Sequence, residues 1–419
     1  MPNPTVRADR NRLRQWLPLV AVAATALALS FPSPQVAKIF PDSVTYLHWS
    51  EGRPPTVPLF YLVFRPDAPI NIAQTVLSMV AWTTMGWMLL GLVGAIYAAM
   101  LAVSLPVLLW NLSVLSESLG LTFGAALCAA TVALGRQWTR PRFALWAACA
   151  VLFTGVRVEN FLFVPPLCAA LLLWHRARWL PLLSVGAATA LLFLVFGVIL
   201  DRGTDHWQNR MTNVVLTRVL QDPELTIEFF ARGLPRDEGM LAARGQMLKY
   251  YDTEWRNSTP AFQHWLDDES RPVYMRWLTT LMPHRKLIAW MDSIMHRGQY
   301  DYYTGGLHLP AITMDARMYD ATQIPFVYWR WMAVVPVACA VLTLSVRFID
   351  LFGLAYLIAV YVLTFGVYHG DSGELDRHMV LVAALYRMAP IVVLASVWEH
   401  AHALWQRWRN GAREEDVTA

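Results

Sequence analysis

The sequence predicts an all-α integral membrane protein with about ten transmembrane helices, interfacial helices in the first outer loop and a long outer segment after the seventh span. Three observations predict this. Of 419 residues, 56% are hydrophobic and only 15% charged, and the mean hydropathy is +0.37; a soluble domain carries about 25% charged residues. Apolar runs of roughly 16 to 22 residues recur, the length that a bilayer core demands. Arginines gather in alternate loops, the pattern of basic loops retained on the cytoplasmic side.

The first apolar run, Trp16 to Phe31, follows Arg7, Arg10, Arg12 and Arg14. "ALALS" near its end could serve as a weak signal-peptide cleavage site, but further spans follow soon, so the run is read as an uncleaved anchor over 14–31. The next spans are 70–91 and 94–111, separated only by Gly91 and Gly94. Then come 118–135, 143–156, 161–174, 179–200, 326–345, 349–368 and 379–398. With the N-terminus inside, the cytoplasmic pieces hold Arg7 to Arg14, then Arg136, Arg140 and Arg142, then Arg176 and Arg178, then Arg347, and finally Arg407, Arg409 and Arg413. Both termini are then cytoplasmic, in the inner (plasma) membrane of a bacterium. The chain divides into an N-terminal transmembrane module (1–200) with its first outer loop (32–69), an outer-face helical segment (201–325) and a C-terminal transmembrane module with a tail (326–419). The outer segment mixes charge, aromatics and prolines, with helical patches at Thr212 to Leu220 and Pro223 to Ala231. Short helices packed on the membrane face are expected there, not disorder.

Several function classes fall away. A net charge of +4 gives no reason to invoke nucleic acid. No nucleotide-binding fingerprint or repeat is present. Cys128, Cys149, Cys168 and Cys339 all lie in apolar runs without metal-ligand spacing, as small buried hydrophobes do.

Chemistry-bearing residues fall on the opposite side from the arginine loops, in four groups. The first is "IFPDSVTYLHW", with Asp42, Tyr46, His48 and Glu51, followed by Arg53 and Arg65. Asp42 either caps a short helix or acts on a substrate at the membrane surface. Arg53 and Arg65 are donors for an anionic group. The second is "WNLSVLSESLGLTF", where Glu117 sits at the mouth between two spans. A carboxylate in such a place is a functional candidate; otherwise it pairs with an arginine of a neighbouring span, or starts a helix capped by Ser116. The third is "TGVRVENFLF", where Arg157 and Glu159 form an ion pair or present a guanidinium fork to phosphate. The fourth is "HGDSGELDRHMVL", with His369, Asp371, Glu374, Asp376, Arg377 and His378 at the lip of a span.

These groups suit transfer of a sugar from a lipid phosphate. The leaving group is already good, so cations must stabilise the departing phosphate and one carboxylate must take the proton of the attacking hydroxyl. In "PDSVTYL", "LSESLGLTF", "GVRVEN" and "ELDRH", taken in that order, the chain resembles the GT-C superfamily of polytopic glycosyltransferases, which includes protein O-mannosyltransferases and bacterial mannosyl-, arabinosyl- and aminoarabinosyltransferases. The resemblance implies a polyprenyl-phosphate sugar donor, inversion at the anomeric carbon, and an essential acid in the first outer loop, matched by Asp42. The acceptor would be a glycan, lipid or protein. The segment holds one clear acid where a second, if needed, would be Glu51, Glu117 or a late-loop carboxylate; a divalent cation stays open as a cofactor. The assigned set is Asp42 and Glu117 for catalysis, Arg377, His378, Arg157 and Arg53 for the donor phosphate, and Tyr46, Glu159, Asp376 and Glu374 for substrate. Two alternatives remain: an oligosaccharide polymerase or ligase with a lipid-pyrophosphate donor, and a transporter, whose charges would gather nearer the midplane.

Overall fold

The computed structural model describes residues 16–28, 39–49, 53–64, 69–199, 206–248, 252–296, 322, 325–370 and 375–418. Regular structure among them is entirely helical. Among the described residues, five helices are long and apolar enough to cross a membrane: Ile70–Ala102, Ser116–Arg136, Arg176–Gly197, Phe348–His369 and His378–Asn410. Shorter apolar helices are Trp16–Ala28 (α1), Val158–Trp174 and Phe326–Leu342.

Helices α2 (Pro41–Leu47) and α3 (Thr56–Val63) build the first loop. Next, α4 (Pro69–Ala102) is not continuous, because Leu90 and Gly91 leave helical geometry and Gly91 has φ 59°. A Cβ on Gly86 would collide with the Gly94 carbonyl. In an unbroken helix those residues would stand about 12 Å apart, so the chain doubles back at Gly91. The arms meet through Gly86, Gly94 and Ala98, small residues that let backbones approach closely. Gly91 itself faces open space, so its requirement is purely one of backbone conformation. Gly91→Ala is therefore expected to cost about 1–2 kcal/mol, read as earlier loss of the monodisperse peak on heating in detergent. Gly186→Ala, also facing open space but without a positive φ, should show no loss.

The expected span 94–111 is corrected. Helix α4 ends at Ala102, Ser104 is extended, and α5 (Leu105–Asn111) starts anew. Pro106 lacks the N–H that would continue the first helix, and suits the first turn of the second.

The bundle continues with α6 (Ser116–Arg136), α7 (Arg140–Thr154), a 3-10 turn (Val158–Phe163), α8 (Val164–Trp174) and α9 (Trp179–Leu194). The Thr139 hydroxyl caps α7 by accepting from the Arg142 N–H at 3.3 Å. Contacts gather the arginine-bearing ends together: Arg136 pairs with Glu399 at 3.1 Å, His175 meets the Leu134 carbonyl at 3.1 Å, and Arg178 lies over the Trp138 ring. The other end of α6 lies about 30 Å away.

Residues 206–248 and 252–296 fold into short helices: α10 (His206–Val214), α11 (Pro223–Ala231), α12 (Glu238–Ala242), α13 (Thr253–Ser258), α14 (Pro260–Asp268), α15 (Ser270–Leu278) and α16 (Met282–His296). They form a second apolar core around Phe229, Phe262, Trp265, Tyr274 and Trp277. Asp222 caps α11 and binds Lys286 of α16 at 2.5 Å. Burial pushes the Asp222 carboxyl up, but Lys286 and the α11 N–H groups outweigh it and hold it below its ordinary value.

The chain then returns through α17 (Trp329–Leu342), α18 (Phe348–Gly370), α19 (Leu375–Arg387) and α20 (Ala389–Thr418). The short-helix lobe seats on the end of α18. The Tyr274 hydroxyl donates to the His369 carbonyl at 3.1 Å, Arg218 donates to the Tyr368 carbonyl, and His284 stacks on Phe365. The expected last span, 379–398, falls across α19 and the start of α20, and α20 runs on to Thr418.

Candidate functional site

Pro41 opens α2 because its fixed φ matches a helical first turn. Phe40 takes the N-cap position, and Ser43 in the first turn reaches back to it. Its Oγ accepts from the Phe40 N–H at 2.8 Å, and its hydroxyl donates to the Val114 carbonyl at 2.6 Å. This corrects the reading of Asp42 as the cap. The Asp42 carboxylate is 41% exposed and faces Arg53, with Oδ1 3.7 Å from Nη2. Arg53 folds back along α2. Its Nε donates to Thr45 Oγ1 at 2.9 Å, its Nη1 donates to the Tyr46 hydroxyl at 3.3 Å, and its guanidinium lies 4.7 Å over the buried Tyr46 ring. His48 is exposed.

Besides the Ser43 contact with Val114, two further hydrogen bonds tie the loop to the bundle. The Thr56 N–H donates to the Gly155 carbonyl at 3.0 Å, and the Tyr61 hydroxyl donates to the Leu115 carbonyl at 2.9 Å. Burial, with Tyr46 and Glu117 nearby, pushes the Tyr61 hydroxyl well above its ordinary value, so it stays a neutral donor.

Glu117 is in the first turn of α6 and is 3% exposed. Leu115, not Ser116, occupies the N-cap position, which corrects that part of the sequence reading. The Ser116 hydroxyl donates to Glu117 Oε2 at 3.4 Å instead. Arg157, between α7 and the 3-10 turn, bridges two carboxylates: Nη1 lies 3.6 Å from Glu117 Oε1 and Nη2 lies 3.0 Å from Glu159 Oε1. Burial pushes the Glu159 carboxyl up, but Arg157, Glu159's own backbone N–H, His378 and Arg210 more than offset this and hold it below its ordinary value. The fields of His378 of α19 and Arg210 of α10 thus reach Glu159.

Residues from four separate stretches of sequence thus come together. The structure adds Arg210, which the sequence reading missed. The only trace of it in the sequence is its place on the first helical stretch after the seventh apolar run. Glu51, Arg65, Asp371 and Glu374 lie outside the described residues, as do the side chains of Asp376 and Arg377, whose backbone opens α19. Among the described residues, no group of three or more His, Cys, Asp or Glu is arranged to hold a metal ion.

The arrangement offers two unlike carboxylates and a set of basic side chains. Asp42 is accessible and loosely paired. Glu117 is buried and held by a guanidinium. Arg157 pairs with Glu159, and His378 and Arg210 add smaller favourable fields there, so an anionic group of a ligand could take over the carboxylate's contact with Arg157. The chain matches no protein-family model, no curated protein and no solved structure.

Proposed function

We propose that the chain is a membrane glycosyltransferase that moves a sugar from a polyprenyl-phosphate donor to a hydroxyl acceptor. The supporting observation is the gathering of Asp42, Glu117, Arg157, Glu159, Arg210 and His378 at the ends of bundle helices opposite the arginine loops. In this reading the chain crosses the inner membrane ten times, both termini are cytoplasmic, and the site faces the outer side. A lipid phosphate arrives sideways from the bilayer and displaces Glu159 from the Arg157 fork. Arg157, Arg210 and His378 take its charge, with Arg377 beside them in sequence. The acceptor oxygen attacks the anomeric carbon, the carbon–oxygen bond to phosphate breaks, and the phosphate leaves with the electron pair. Asp42 takes the hydroxyl proton, and the anomeric configuration inverts. Arg53 and Tyr46 hold Asp42 in direction, and Glu117 keeps Arg157 aimed.

The test is transfer by purified protein in proteoliposomes supplied with polyprenyl-phosphate hexoses, polyprenyl-phosphate pentoses or the corresponding lipid pyrophosphates. Turnover with a monophosphate donor is the expected result. Turnover with pyrophosphate donors alone would move the chain to the polymerase or ligase class. In the same vesicles, Arg140→Cys should label only from the cytoplasmic side and Asn257→Cys only from the outside; the reverse would overturn the orientation.

A further inference from the structure

The end of the bundle opposite the candidate site carries its own set of cations. The connection between α6 and α7 brings Arg136, Arg140 and Arg142, and the turn between α8 and α9 brings Arg176 and Arg178. Residues 118–158 and 160–200 contain no Asp or Glu. The acid of α6, Glu117, stands at that helix's far end, about 30 Å away. The two loops and the helices that flank them therefore supply no counter-charge of their own.

The two loops are fixed to each other. The Trp138 ring stacks on Phe143 with centroids 5.3 Å apart and meets the His175 ring edge-on, also at 5.3 Å. His175 Nε2 donates to the Leu134 carbonyl at 3.1 Å. The Arg178 guanidinium lies 5.9 Å from the Trp138 ring centroid, so its plane is held in place. Two of the five arginines are spent on the protein. Arg136 pairs with Glu399 at 3.1 Å, and Arg142 Nη1 donates to the Ala133 carbonyl at 3.0 Å. Arg140, Arg176 and Arg178 remain exposed, and none of them pairs with a carboxylate among the described residues. Apolar side chains adjoin them in the open. Leu173 and Trp174 lead into the turn, Trp179 and Leu180 lead out of it, and all four are 41% to 65% exposed.

From these observations we infer that Arg140, Arg176 and Arg178, set among Trp138, Trp174 and Trp179, form a docking site for the headgroup of an anionic phospholipid. Charge complementarity selects an anion: three exposed guanidiniums face no carboxylate, and each can fork onto phosphate oxygens. The exposed apolar rim selects a lipid over a soluble anion. Cations at the ends of apolar helices, with tryptophans at the boundary, match the order in which a lipid presents its head and its chains. The arginines farther along α20 differ. Arg407 and Arg409 are exposed as well, but Glu399 precedes them and Glu414, Glu415 and Asp416 follow on the same helix, so the charge there is balanced. The site depends on a membrane-embedded bundle and not on sugar transfer, so either reading can fail without the other.

The experiment titrates radiolabelled cardiolipin, with phosphatidylethanolamine as the zwitterionic control, into the full chain in detergent micelles. Cardiolipin should bind at least about tenfold more tightly than the control. Arg140→Gln with Arg176→Gln should raise the Kd for cardiolipin about thirtyfold, the effect of two cations near the surface. Arg407→Gln with Arg409→Gln removes the same charge about 12 Å or more beyond Glu399 along α20 and should change that Kd by less than about twofold, because salt screens charge at that range. Equal binding of the two lipids overturns the inference, as does an unchanged Kd in the first double variant or an equal loss in both. Displacement of cardiolipin by equimolar inorganic pyrophosphate also overturns it, because charge alone would then be recognised. The side chains of Arg140 and Arg176 hold no other part of the chain, so the first double variant should fold. The comparison of the two lipids and the pyrophosphate competition use the unsubstituted chain and decide the matter without any variant.

Discussion

Asp42→Asn should lower sugar transfer by a factor on the order of a hundred to ten thousand, the usual cost of removing a general base, while the protein folds as before. The structure sharpens this separation. The turn that starts α2 is held by Ser43, through its hydrogen bonds with Phe40 and Val114, and not by Asp42. The amide of Asn can still accept from Arg53 Nη2, so the local geometry has little reason to change. The measurement is initial rate at saturating donor, with donor affinity measured separately. Affinity should move little, because the substitution removes a proton acceptor and leaves the phosphate cations in place. Ser43→Ala is the companion: it removes a buried hydroxyl that meets Phe40 and Val114, and should lower stability by about 1 kcal/mol with a smaller effect on rate. If Asp42→Asn transfers sugar at the wild-type rate, the base lies elsewhere, and Glu117 is the next residue to substitute.

Arg157→Ala should be the most damaging single change to both fold and binding. It leaves Glu117, whose side chain is 2% exposed, beside an empty space instead of a guanidinium. Removing one member of a buried pair typically costs about 3–5 kcal/mol. Glu159, with its side chain 30% exposed, can turn to water and adds less. Donor binding should fall along with stability, so one variant cannot separate the two effects. The double variant Arg157→Ala, Glu117→Gln does, because a neutral amide tolerates burial better than a carboxylate that has lost its guanidinium. Stability should largely return in the double variant, read as the temperature at which the detergent-solubilised protein loses its monodisperse peak. Affinity for radiolabelled polyprenyl phosphate should stay low. Recovery of both together would make Arg157 a purely structural partner of Glu117 and shift the phosphate to Arg210 and His378.

Much of the architecture was legible in advance because it depends on one-dimensional patterns. The positions of the long apolar helices follow from run length and hydropathy. The reversal at Gly91 was marked by glycines alone, and the positive φ there explains why glycine was the signal. The break inside 94–111 was missed because Leu105 and Pro106 are apolar. Hydropathy does not register a lost N–H donor, whereas the backbone must.

The candidate site was legible as separate pieces. Asp42, Glu117, Arg157 and His378 stood out as ionisable residues at the edges of apolar runs, where a charge needs a reason. Arg210 did not stand out, because it lies in a polar segment where an arginine needs none. Its influence on Glu159 depends on how the helices of 206–248 and 252–296 pack onto the end of α18, a contact between distant parts of the chain.

By itself the sequence determined that the chain is helical and membrane-embedded, where most long helices lie, and which end of each carries the arginines. These properties are sums over neighbouring residues. Only the tertiary structure decided that Ser43 holds the first turn of α2, that Arg53 turns back onto Asp42, and that one guanidinium joins Glu117 to Glu159. It also decided that the polar residues of α4 point inward and away from the lipid. A charge or a hydroxyl can satisfy its partner from any position the fold brings within about 3 Å. The periodicity of a sequence fixes which face a residue lies on, but not what meets it there.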